Sequence, residues 1–89
     1  MSTVLWVERD GALQRSFGFS GPGAASEFVS RMKALADTMG HHPTWSVAGG
    51  TVAVRTTTHD AGDTVTAKDH ALALAIDELF RTFGHNLPA

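Results

Sequence analysis

Thr44-Trp45-Ser46-Val47-Ala48-Gly49-Gly50-Thr51-Val52-Ala53-Val54-Arg55-Thr56-Thr57-Thr58 holds two runs rich in β-branched and aromatic residues, joined by a glycine pair. Such runs favour the pleated chain, and Gly-Gly suits the positive φ of a two-residue hairpin turn. The stretch predicts a hairpin with strands over 44–48 and 51–58. With Gly49-Gly50 as the turn, Ala48 faces Thr51, and paired residue numbers sum to 99. Extending that ladder sets His42 opposite Thr57 and His41 opposite Thr58. His41-His42 then arrives beside His59-Asp60 at the open end of the hairpin. A register slip moves this meeting point by one residue and does not abolish it.

Upstream, Thr3 to Arg9 reads as a strand, Asp10-Gly11 as a tight turn, and Leu13 to Phe19 as a returning strand. Leu13, Phe17 and Phe19 share one parity, so this strand has one buried face. Ser20-Gly21-Pro22-Gly23 breaks it. Ala25, Phe28, Val29, Met32, Ala36 and Met39 then recur at three- and four-residue steps, the stripe of an amphipathic helix. Gly40 suits its C-terminal cap. Downstream, 60–65 reads as loop. Thr66-Ala67-Lys68-Asp69 has the form of a capping box, although Glu or Gln is the usual partner at its last position. Leu72, Ile76, Leu79, Phe80 and Phe83 form a second helical stripe that Gly84 can end. The order strand-strand-helix-strand-strand-helix predicts an α+β fold, a four-stranded antiparallel sheet with both helices packed on one face. A single domain over 1–89 is expected. Trp6 is expected in the core, and His70 and His85 toward solvent.

Composition narrows the function. Hydrophobic residues make up 43% of the 89 residues and charged residues 18%, which excludes charge-driven disorder. The seven basic residues are scattered in a chain of net charge -2, so nucleic-acid binding is not expected. The absence of cysteine excludes disulfides, thiolate metal sites and cysteine nucleophiles. No stretch reaches the ~18 apolar residues of a membrane span, and a cytoplasmic protein is expected. A chain this short buries roughly 60% of its unfolded surface, and a four-stranded sheet leaves edges open. A homo-oligomer, most simply a homodimer, is the expectation.

The convergence of His41, His42 and His59 suits proton transfer, because imidazole titrates near neutral pH. Asp37 or Asp60 can fix a tautomer by accepting a ring proton. Trp45 offers a flat apolar wall to a planar ligand. Neighbours on an extended segment point to opposite faces, so His41 and His42 do not both reach one ion unless the backbone turns. With no HExxH motif either, no metal site is expected.

The string His41-His42-Pro43-Thr44-Trp45, then Val47 and Thr58-His59-Asp60, with Thr66 and Asp69 beyond, resembles the pterin-4a-carbinolamine dehydratases. Asp37, four residues before His41, matches an acidic position of that pattern, where glutamate is frequent. The resemblance runs from about Trp6 to about Phe80. The loop from His59 to Asp69 is one residue longer than usual. The resemblance implies the same antiparallel sheet with helices on one face. It also implies a hydro-lyase that converts 4a-hydroxytetrahydrobiopterin (pterin-4a-carbinolamine) to quinonoid dihydropterin, recycling the cofactor spent by aromatic amino acid hydroxylases. The partner is a small pterin, and the family uses neither metal nor cofactor of its own. The catalytic roles carry over to His41, His42 and His59. Asp37, Pro43, Trp45 and Asp60 are the residues expected to bind or orient the substrate. The alternative is a dehydratase-like binding, dimerisation or assembly module without turnover. The intact histidine set weighs against it, because packing does not require three histidines.

Overall fold

Asp10 and Gly11 take φ of 53° and 75°, both in the left-handed region that a tight hairpin turn needs. The chain therefore reverses within two residues and pairs Arg9 with Ala12. In the computed structural model, which describes residues 5–86 and side chains as far as Phe83, this turn joins β1 (Val7–Arg9) to β2 (Ala12–Gly18). Helix α1 (Pro22–Met39) follows, then β3 (Thr44–Ala48), β4 (Thr51–Thr56), a 3-10 turn (His59–Ala61) and α2 (Ala67–Asn86). The sheet is antiparallel throughout, in the order β1-β2-β4-β3. The α+β architecture expected from the sequence is the one observed.

The boundaries differ from expectation where side chains find better partners than the ladder. The first strand begins at Val7, because Trp6 leaves the ladder and enters the core, its indole N–H donating to Asp77 at 2.8 Å. Thr3 lies outside the described residues, as does the side chain of His85. The last strand ends at Thr56 instead of Thr58. The Thr57 hydroxyl donates to the Gly11 carbonyl at 2.6 Å, and the Thr58 N–H donates to the Thr64 carbonyl. Gly84 does not end α2, which runs on to Asn86.

Alternation puts Leu13, Phe17, Val52 and Val54 on one face of the sheet, where they meet Phe28 and Met32 of α1 and Leu72 and Ile76 of α2. Each such side chain contributes roughly 1.5–3 kcal/mol by leaving water. The rings of Phe17, Phe19, Phe28, Phe80 and Phe83 fill the gap between the helices with tilted and edge-on contacts. Arg15 shares the inward parity but keeps its charge satisfied. It pairs with Asp77 and lies 4.3 Å over the Phe17 ring. His70 is exposed, as expected. Among the described residues no helix is long and apolar enough to cross a membrane.

Two turns are locked by close approach. A Cβ on Gly11 would lie 2.3 Å from the carbonyl oxygen of Asp63, so the first hairpin's turn sits directly against the loop that follows His59. A Cβ on Gly50 would lie 2.8 Å from the Phe19 carbonyl oxygen, which accepts no side chain between it and the second hairpin.

Candidate active site

Parity also places Thr56 on the inward face beyond Val52 and Val54, just below the first turn of α2. That turn carries Asp69, which is fully buried. Its two oxygens accept four hydrogen bonds. Oδ1 receives the Thr56 hydroxyl at 2.7 Å and His41 Nε2 at 2.7 Å. Oδ2 receives the Thr58 hydroxyl at 2.6 Å and the Thr66 N–H at 2.9 Å. Burial alone pushes the Asp69 carboxyl up. The donors Thr58, His41, Thr56 and the Thr66 N–H together outweigh it and hold the group down at about 2. Asp69 is therefore a carboxylate at neutral pH and can only accept.

Proton positions follow from that. The Thr58 hydroxyl donates to Asp69, so its oxygen accepts from the Thr66 hydroxyl, 2.7 Å away. His41 must carry its proton on Nε2, which leaves Nδ1 as the free nitrogen of the neutral ring. The other two histidines have their own carboxylates. His42 Nε2 lies 2.6 Å from Asp37 Oδ1, and His59 Nδ1 lies 2.6 Å from Asp63 Oδ1. Each imidazole thus has one nitrogen occupied by an acid and one left over. The environments differ: the His41 side chain is 14% exposed, against 63% for His42 and 77% for His59.

The ladder reading of the site is right in register and wrong in reach. Every pair of the second hairpin, from Ala48 with Thr51 to Thr44 with Arg55, sums to 99. Pairing stops there, so His42 is not opposite Thr57 nor His41 opposite Thr58. Gly40 turns the chain at the end of α1, and the His41 N–H donates back to the Ala36 carbonyl. Thr58 pairs with Thr64 instead. What joins the two motifs is Asp69, which holds His41 on one oxygen and Thr58, the residue before His59, on the other.

Of the predicted orienting residues, Asp37 holds His42. Pro43 is buried between His42 and β3. Trp45 sits opposite Val54, half-buried against the edge of the core. The carboxylates that pair with His41, His42 and His59 are those of Asp69, Asp37 and Asp63, and Asp60 is not among them. It borders a cleft of about 350 Å³ together with Thr58, Ala61, Thr66, Ala67 and Lys68. A larger cleft of about 530 Å³ lies on the helix-free side of the sheet and is lined by Arg9, Gln14, Ser46 and Arg55 among others. Among the described residues no histidine lines it. The sequence reading missed Asp63 as a partner, and it gave Asp69 a capping role and a place in the family pattern but no contact with a histidine. The signal for Asp69 was available, since Thr56 and Thr58 share the inward parity and need an acceptor beneath α2. Among the described residues no group of three or more His, Cys, Asp or Glu side chains is placed to hold a metal ion.

Comparison with known proteins follows the same lines. The family model for pterin 4 alpha carbinolamine dehydratase matches residues 2–79. The chain is 41% identical over 81 residues to a protein of Afipia carboxidovorans, covering 89% of this chain and 80% of that one. It is 44% identical over 68 residues to a protein of Rhodospirillum rubrum, covering 76% and 70%. Both are provisionally named pterin-4-alpha-carbinolamine dehydratases. A solved structure of a transcriptional coactivator/pterin dehydratase from Brucella melitensis superimposes with a TM-score of 0.78 at 30% identity, covering 84% of this chain and 81% of that one. A pterin dehydratase-like RuBisCO assembly factor of the alpha-carboxysome shares the fold, with a TM-score of 0.67 at 20% identity over 83% and 84%.

Proposed function

The chain belongs to the pterin-4a-carbinolamine dehydratase family, and on that premise we propose that it dehydrates 4a-hydroxytetrahydrobiopterin to quinonoid dihydropterin by histidine acid–base catalysis, in pterin recycling. The reaction needs an acid on the leaving hydroxyl and a base on the proton of the neighbouring ring nitrogen. The C4a–O bond breaks, the C4a=N bond forms, and water leaves. The observation that carries this reading is the buried carboxylate of Asp69, which fixes the proton on His41 Nε2 and leaves Nδ1 for a substrate. One of His41 and His59 enters as imidazolium and gives its proton to the leaving hydroxyl, the other enters neutral and takes the ring-nitrogen proton, and His42 orients the substrate. Asp60, which borders the small cleft, is the acid assigned to contact the pterin in this reading. No metal or cofactor takes part in the mechanism.

The test is a dehydratase assay with a 4a-hydroxypterin generated in situ, run before and after chelator treatment. Accelerated dehydration that survives chelation is the expected result, and a rate equal to the spontaneous one removes the reading. The second reading, an assembly module without turnover, draws on the likeness to the RuBisCO assembly factor, a likeness of fold alone. Three separately paired histidines favour the enzyme.

The protein works as a homo-oligomer, most simply a dimer. Strands β1 and β3 are sheet edges, and Val7 and Val47 on them are 52% and 48% exposed. Sedimentation at tens of micromolar should give at least twice the chain mass. A monomer at that concentration contradicts this assignment.

A further inference from the structure

Asp63 stands in the left-handed region, with φ of 58°, a conformation that costs an aspartate strain and that glycine adopts freely. The loop around it leaves little choice. The Asp63 N–H and the Ala61 N–H both donate to the Thr58 carbonyl, and the Gly62 N–H donates to the His59 carbonyl. Thr58 and Thr64 close the loop as a bridge, and Gly11 presses on the Asp63 carbonyl from the first hairpin. The fold thus holds the Asp63 backbone, and the side chain it presents is a carboxylate 2.6 Å from His59 Nδ1.

We infer that Asp63 is a positioning residue, which fixes His59 through Nδ1, as the Nδ1–H tautomer when the ring is neutral, and so turns Nε2 toward the substrate. An isolated neutral imidazole favours the opposite tautomer, with the proton on Nε2, and would present Nδ1. A carboxylate on Nδ1 reverses that preference and also holds the ring plane. Asp63 reaches no reacting atom itself. It acts through His59, as Asp69 acts through His41. The catalytic part of the inference rests on the proposed dehydration. The tautomer part does not.

The two parts are separated by experiment. Asp63→Gly removes the carboxylate and relieves the backbone, so the variant should fold at least as well as the parent. Long-range proton–nitrogen NMR spectra of the labelled full chain, with His59 assigned through a His59→Gln variant, read the tautomer directly. The parent should show His59 protonated on Nδ1, and Asp63→Gly should shift the proton toward Nε2. Turnover in Asp63→Gly should fall about tenfold with KM nearly unchanged, the scale usual for removing a partner that orients an active histidine. A His59 tautomer that is the same in both proteins overturns the inference whatever the activity. An unchanged kcat beside a shifted tautomer overturns its catalytic part. A parent without dehydratase activity removes the reaction, and the NMR result then decides the tautomer part alone.

Discussion

An Asp69→Ala protein should melt roughly 15 °C below the parent. The change leaves the hydroxyls of Thr56 and Thr58, both buried, and the N–H of Thr66 without their acceptor. Stranding such groups costs about 3 kcal/mol or more in total, and in a domain this small each kcal/mol is worth about 4–8 °C. Turnover should fall as well, because His41 loses what fixes its tautomer. Acid unfolding separates charge from shape. Asp69 titrates at about 2 in the fold, below its unfolded value near 4. Its contribution is therefore complete above about pH 4 and is lost as pH falls through 2, about 2 kcal/mol in all. An Asp69→Asn protein lacks that step. Urea unfolding at pH 6, 4 and 2 should show parent and Asn variant converging at the acid end. A melting point within about 5 °C of the parent for Asp69→Ala would contradict the view that the Asp69 carboxylate satisfies these buried donors.

Replacing His41 or His59 with alanine should each lower dehydratase turnover by ~100-fold or more, since each removes a proton-transfer group. The fold should survive both. His59 is exposed, and His41 supplies one of four donors to a carboxylate that keeps the other three. His42→Ala should cost less in turnover and more in substrate binding, as fits an exposed ring paired with an exposed Asp37. The double variant of His41 and His59 should be little worse than the poorer single, because the two act as a unit. Circular dichroism controls for folding. Full activity in both alanine proteins with native spectra would falsify the mechanism and favour the assembly module.

Local pattern accounts for what could be read in advance. The alternation of Leu13 and Phe17, the Asp10-Gly11 and Gly49-Gly50 turns and the stripe from Ala25 to Ala36 each report on a few neighbouring residues, and each element appears where it was expected. The same locality explains the misses. That β4 ends at Thr56 depends on Gly11, far earlier in the chain, accepting from Thr57. The partner of His41 is Asp69 because the end of α1 and the start of α2 come together in three dimensions, which no spacing encodes. Asp63 escaped because a paired acid at positive φ has no periodic signature.

The sheet order β1-β2-β4-β3 has a consequence for the route by which the chain folds. Each hairpin closes on itself through a two-residue turn, an event of about 1–10 μs. The central pairing of Leu13 with Thr56 and Gly18 with Thr51 has all of α1 and β3 between its strands, so it bears the loop-closure entropy and sets the slow step. The contacts of Gly11 with Thr57 and Asp63 cross this same seam. The loop carrying His59 and Asp63 therefore acquires its shape only once the two hairpins have docked, so the proposed proton-transfer site is completed in the last cooperative event of folding.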